Sequence, residues 1–243
     1  MKKLIIGALA MANTIAATAA EYQTDTFKTK GGKEVVITAI KHASLRIQYD
    51  GLEIQVDPVA EYAPATDYST FPKADVILVT HEHFDHFDRD TIATLRKDST
   101  EIVANTAVQK MLGSGTAMMN GENRVIAKGI KLDAVSAYNT TPGRTQFHPK
   151  GRDNGYVLTI DGLRIYIAGD TEDIPEMATL KDIDVAFLPC NQPYTMTPEQ
   201  VAKEARTIKP KVLFPYHYSQ TPIKRVSGLL SDTSIDVRIR KYQ

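Results

Sequence analysis

Tryptophan is absent from this 243-residue chain, and all aromatics together make up 7% of it. That is too few for a stacking platform that holds single-stranded nucleic acid. Cysteine occurs once, at Cys190, so no intrachain disulfide forms and no cysteine-based zinc site closes. An excess of either charge is also missing: Lys+Arg and Asp+Glu both count 29. No global basic field recruits nucleic acid. What remains is ordinary globular composition, 42% hydrophobic and 24% charged. Disordered, collagenous and polytopic membrane classes are thereby excluded, and a small-molecule partner is expected.

The chain begins Met1-Lys2-Lys3, runs uncharged from Leu4 to Ala20, and reaches Glu21 after Ala16-Ala17-Thr18-Ala19-Ala20. A basic start, a short apolar middle and small residues before a cut predict a secretory signal over 1–20, cleaved after Ala19 or Ala20. The apolar stretch is short and includes Asn13, Thr14 and Thr18, which argues against a stable membrane anchor. A periplasmic or secreted address follows, and a single cysteine suits an oxidising compartment.

Residues 21–243 read as one domain. Val35–Ile37, Leu45–Tyr49, Leu52–Val56, Val76–Val79 and Glu101–Ala104 carry strand patterns, as do Lys131–Ala137, Tyr156–Ile160, Leu163–Ala168, Val185–Leu188 and Val212–Phe214. Asp50-Gly51 and Asp161-Gly162 are type I′ turn signals and predict two hairpins. The hairpins echo each other: each second strand runs toward an aspartate, Asp57 or Asp170. Asn105 is expected to cap a short helix through Met111, and Thr197-Pro198-Glu199-Gln200 to open a helix to about Ile208 with a capping box. The Gly- and Met-rich stretch from Met111 to Asn123 reads as a plain connection. The pattern predicts one α/β domain of two layered sheets with outer helices.

The chemistry concentrates in Thr80-His81-Glu82-His83-Phe84-Asp85-His86-Phe87-Asp88, directly after the buried-strand run Val76–Val79. Imidazole nitrogens and a carboxylate at this density suit zinc, iron or manganese. His81 and His83 share a side if the segment is extended, and Asp85 and His86 reach a second site only if the chain turns between. A single short loop could thus serve two metals.

This segment resembles the His-x-His-x-Asp-His signature of the metallo-β-lactamase-fold metallohydrolases. Three later residues resemble that superfamily's remaining ligands: His148 in Phe147-His148-Pro149, Asp170 in Gly169-Asp170-Thr171 and His217 in Tyr216-His217-Tyr218. Lys41-His42-Ala43-Ser44, Val56-Asp57-Pro58, Gly169-Asp170-Thr171, Tyr194-Thr195-Met196-Thr197 and Lys209-Pro210-Lys211 resemble the group of the L-ascorbate-6-phosphate lactonase and the N-acyl-phosphatidylethanolamine phospholipase D enzymes. The resemblance implies a four-layer αββα sandwich of two mixed sheets flanked by helices. It also implies two divalent metal ions, zinc first and manganese or iron next. One would be held by His81, His83 and His148, the other by Asp85, His86 and His217, with Asp170 bridging. The implied activity is hydrolysis of a lactone, ester or phosphodiester by a shared, acidified water, with Asp85 and Asp170 as the catalytic carboxylates. Aspartate at 170, where the common antibiotic-destroying zinc lactamases carry cysteine, disfavours β-lactam hydrolysis, which stays as the alternative beside a catalytically silent binding protein.

Around this set, Asp57 is either an acceptor for the free N–H of a ligand imidazole or a cap before Pro58, and His42 either a strand histidine or a neighbour of the metals. Cys190 reads as a buried, inert thiol. Arg144, Lys150 and Arg152 read first as a solvated loop and second as receivers of a substrate phosphate or carboxylate, and Tyr138 and Tyr194 as candidates to line the mouth.

Overall fold

The structure is a computed structural model and describes residues 22–62 and 64–242. The expected export segment lies outside the described residues. No helix among the described residues is long and apolar enough to cross a membrane.

Among the described residues, fourteen strands form two seven-stranded sheets. The first holds β1 (Gln23–Lys28), β2 (Glu34–Lys41), β3 (Ser44–Tyr49), β4 (Leu52–Val56), β5 (Val76–Val79), β6 (Glu101–Ala104) and β7 (Thr116–Ala117), side by side in chain order. The second holds β8 (Asn123–Ile126), β9 (Ile130–Ala137), β10 (Asp153–Ile160), β11 (Leu163–Ile167), β12 (Val185–Pro189), β13 (Val212–Tyr216) and β14 (Asp236–Val237), also in order. In both, the first four strands pair antiparallel and the last four parallel. The two hairpins echoed in the sequence, β3–β4 and β10–β11, occupy the same place in each sheet. Asp50 and Gly51, like Asp161 and Gly162, all have positive φ, as type I′ turns require.

Period-two alternation sorts the apolar residues into layers. Val76 and Leu78 of β5 face a core shared with Val185 and Phe187 of β12. Their neighbours Ile77 and Val79 turn outward onto Ile92, Leu95 and Val108, which lie on α1 (Arg89–Leu95) and α2 (Thr106–Leu112). Ala186 and Leu188 turn outward onto Val201, Ala205, Ile208 and Val226, on α3 (Pro198–Ile208) and α4 (Lys224–Leu229). One core between the sheets and one on each outer face make the expected four-layer sandwich.

Caps stop and start the helices as the sequence predicts. Asn105 accepts from the Val108 N–H, and Thr197 with Gln200 completes the capping box. Two differences stand out. The 111–123 stretch is not wholly a connection: α2 runs to Leu112, Gly113 caps it at φ 72°, and β7 adds an edge strand. The polar strand β1 is held by long-range ion pairs, since Asp25 is bonded by Arg238 and Arg240.

Candidate metal centre

Both sheets deliver side chains to one point. Thr80 and His81 follow β5 and are fully buried. The chain then turns: the His86 N–H donates to the His83 carbonyl at 2.9 Å, and the Phe87 N–H to the same oxygen at 2.8 Å. This reversal puts Asp85 and His86 on a different side from His81 and His83, as two-site use of the loop requires. Asp88 ends the segment by capping α1, accepting from the Asp90 and Thr91 N–H groups. From the second sheet come His148 in the β9–β10 connection, Asp170 beyond β11 and His217 beyond β13. The backbone ties the two contributions together. The His217 N–H donates to the His42 carbonyl at 3.0 Å, and the Tyr156 hydroxyl to the Val79 carbonyl at 2.9 Å.

The donor atoms gather into groups whose members all lie within 4.8 Å of one another: His81, His83 and His148; His42, Asp85, His86 and His217; and His81, His86 and Asp170. Asp170 reaches across them. Its Oδ1 lies 3.2 Å from His86 Nε2, while its Oδ2 lies 3.4 Å from His148 Nε2 and 3.2 Å from His217 Nε2. Close as these atoms are, Asp170 Oδ1, His86 Nε2 and both ring nitrogens of His217 are buried without a hydrogen-bond partner among the described residues. Buried polar atoms are normally bonded. Convergent nitrogen and oxygen donors with no bond to one another fit a cation bound between them.

The outward nitrogens are held. His86 Nδ1 donates to Asp57 Oδ2 at 2.8 Å, and the Thr80 hydroxyl donates to the same oxygen at 2.7 Å. Thr80 Oγ1 in turn sits 3.0 Å from His81 Nδ1, and His148 Nδ1 lies 3.1 Å from Asp153 Oδ2. Each of these three rings therefore points Nε2 inward.

Charge follows the same geometry. Burial and the neighbouring His86 keep His81 well below the ordinary histidine range. Burial acts the same way on His86 and His217, but the carboxylate of Asp170 overrides it, raising His86 well above that range and His217 to about 9. Burial would raise the two carboxylates. The imidazoles around them win, chiefly His86 for Asp85 and His217 for Asp170, and hold both well below the usual range. His42 is pushed down to about 4 by burial and by His217. It therefore stays neutral and donates Nε2–H to Asp85 Oδ2 at 3.1 Å.

The model of the β-lactamase superfamily domain matches residues 36–217, from β2 to the last of these histidines. This chain belongs to that superfamily. A UPF0173 metal-dependent hydrolase of Thermococcus onnurineus is 32% identical over 199 residues, 77% of this chain and 86% of its own. One from Geobacillus is 31% identical over an equal length. A crystal structure from Parabacteroides distasonis shares 60% identity at a TM-score of 0.89, covering 92% of this chain and 100% of that one. Igni18, a metallo hydrolase of Ignicoccus hospitalis, shares the fold at a TM-score of 0.72 and 24% identity, over 86% of this chain and 95% of its own. The protein is thus a metal-dependent hydrolase of the metallo-β-lactamase fold.

Within this superfamily member, the seven residues expected as ligands all converge. Asp57 takes the free N–H of a site imidazole, the first of its two readings, and His42 lies beside the site, its ring 3.7 Å from that of His217. Cys190 is buried, and burial pushes its thiol up to about 12. The candidates for substrate contact divide. Tyr194 lines the cleft over the site together with Tyr62, Phe84, Phe147 and Asn191. Tyr138, Arg144, Lys150 and Arg152 do not. Tyr138 is buried and donates its hydroxyl to Glu176, with Lys150 bonded to both. Arg144 pairs with the Gln192 side chain. Arg152 is folded back onto Asp153 and the Phe147 carbonyl. Asp153, Thr80 and the cleft aromatics other than Tyr194 were not singled out from sequence. Thr80, Phe84 and Phe147 each adjoin a ligand histidine, which is a usable signal; Asp153 offered only a carboxylate five residues past His148.

Proposed function

We propose that this protein is a binuclear metal hydrolase that cleaves a lactone, ester or phosphodiester bond of a small molecule. One observation carries the reading: the two oxygens of Asp170 face imidazoles of both donor groups. His81, His83 and His148 would hold one cation, Asp85, His86 and His217 the other, and Asp170 would join them. Nitrogen-rich donors favour zinc, and manganese or iron suits the same set. When bound, such a pair supplies an acidified water and a Lewis acid for the oxygen on which charge develops.

The chain's own residues set the conditions for that chemistry. Asp57, Thr80 and Asp153 fix the ring planes through Nδ1, so the inward nitrogens need no rearrangement to bind. His42 orients Asp85 by donating to Oδ2, keeping a carboxylate ionised at the cleft wall. An ionised oxygen there can accept a hydrogen bond from the attacking water and orient it. The aromatic side chains around the cleft exclude bulk water from the bond being broken.

Asp170→Ala is the direct test. It is expected to abolish turnover of lactone, ester and phosphodiester substrates and to lower bound metal from about two ions per chain, with the circular dichroism spectrum unchanged. Full turnover by protein holding less than one metal per chain would overturn the binuclear reading.

A further inference from the structure

The cleft over the metal centre has a volume of about 390 Å³. Apart from the candidate ligands, it is lined by Tyr62, Phe84, Phe147, Tyr194 and Asn191. The aromatics form two pairs. Tyr62 and Phe84 have ring centroids 5.9 Å apart, Phe147 and Tyr194 5.0 Å apart. Phe84 is 75% exposed although it stands between His83 and Asp85. The fold gains little from a phenylalanine held out in water, whereas an apolar ligand would cover it.

Cations tell the complementary story. Among the described residues, neither lysine nor arginine lines the cleft. Of the three basic residues flanking His148 in sequence, Arg144 is engaged with Gln192 and Lys150 with Glu176; Arg152 reaches within 3.5 Å of His83 Nε2, but its charge is taken up by Asp153 and Glu82. A phosphate or carboxylate remote from the scissile bond would enter with no counter-ion and would lose its hydration. An aliphatic or aromatic group would meet four ring faces instead.

We infer that the cleft accepts an uncharged lactone or ester carrying an aliphatic or aromatic side group, which packs against the Tyr62–Phe84 and Phe147–Tyr194 pairs, and that it rejects phosphorylated sugar lactones. This inference rests on the hydrolase reading above and adds the substrate class. The binding side can be measured without turnover. Linear carboxylates are the products of opening such bonds, and they can be titrated by calorimetry into the full, zinc-loaded protein from acetate to octanoate. Affinity is expected to rise about three- to fourfold per methylene, and kcat/KM for γ-lactones with lengthening alkyl tails to rise in parallel. Phe84→Ala, which removes an exposed ring and no core packing, is expected to flatten both series, as is Tyr194→Ala. Flat series in the unaltered protein, or tighter binding when a terminal phosphate replaces the tail, would sink the inference and leave hydrolysis standing. A rising affinity series in a protein that turns over no lactone, ester or phosphodiester would uphold the cleft's preference and sink the proposed cleavage of those bonds instead.

Discussion

Asp57 does more at the level of single residues than its place at a strand end suggests. Its Oδ1 accepts the Thr80 N–H at 2.7 Å, and its Oδ2 accepts from both the Thr80 hydroxyl and His86 Nδ1. One buried carboxylate thus orients His86 directly and His81 through Thr80. It does so from φ 44°, and His42 and His217 adopt φ 45° and 49°. Left-handed backbone is unfavourable for residues with a Cβ, and such strain tends to persist where a site demands it. Asp153 plays the matching part for His148, with Arg152 bonded to both of its oxygens. Asp153→Asn keeps the shape but gives up the charge that fixes the imidazole. Metal affinity is expected to fall about 10–100-fold, measured by competition with a chromophoric chelator. Unchanged affinity would mean that Asp153 only anchors Arg152. The residues show what a sequence makes legible. His81, His83, Asp85 and His86 stand out because they lie within six positions. His148, Asp170 and His217 each follow a strand singly, so only the resemblance picked them out. Arg144 and Lys150 were substrate candidates only because they lie near His148 in sequence, and the turns around it carry them toward Gln192 and Glu176; Tyr138, a candidate for the mouth, is turned toward Glu176 as well.

Elements differ in how far local chemistry specifies them. The strand β5 is four buried aliphatics, and α3 carries its own start signal in the capping box, so both are readable. The strand β1 reads Gln-Thr-Asp-Thr-Phe-Lys and buries one residue in six; its place comes from pairing with β2 and from distant arginines. The helix α4 lacks a side-chain cap, which removes the usual marker. One contact between elements bears on the site. A Cβ on Gly155 of β10 would fall 2.7 Å from the Ala168 carbonyl oxygen, and one on Gly169 would fall 2.6 Å from that of Asn154. The segment leading to Asp170 therefore lies directly on the β10 backbone. Gly155→Ala forces these backbones apart. Overpacking of this kind destabilises by about 1–3 kcal/mol, to be read from the denaturant midpoint at unchanged slope. Asp170 should shift with its segment and weaken metal binding. A midpoint equal to that of the unaltered protein would show that the strands yield without strain.

For the whole molecule, the decisive property is that neither sheet owns the site. The first supplies His42, Asp57 and the 80–86 loop, the second His148, Asp170 and His217. A cation held by both sets would cross-link two sheets that also meet through an apolar core, hydrogen bonds and ion pairs such as those of Asp25 with Arg238 and Arg240. A ligand that binds the folded state alone stabilises it by mass action, by about 4 kcal/mol at a free concentration a thousandfold above its dissociation constant. In a chain of this size each kcal/mol moves Tm by about 2–4 °C, so stripping the metal should lower Tm by about 8–16 °C. The sign is clear, but the apo protein should still fold. Without metal, His217, raised to about 9, carries a proton at neutral pH, and the upward shift of His86 acts in the same direction, both against the charges of Asp85 and Asp170. Scanning calorimetry before and after chelation, then with zinc restored, would measure the shift and its reversal. A Tm indifferent to chelation would mean that the core and direct polar contacts alone join the sheets, and that side chains from both come together without a cation binding them.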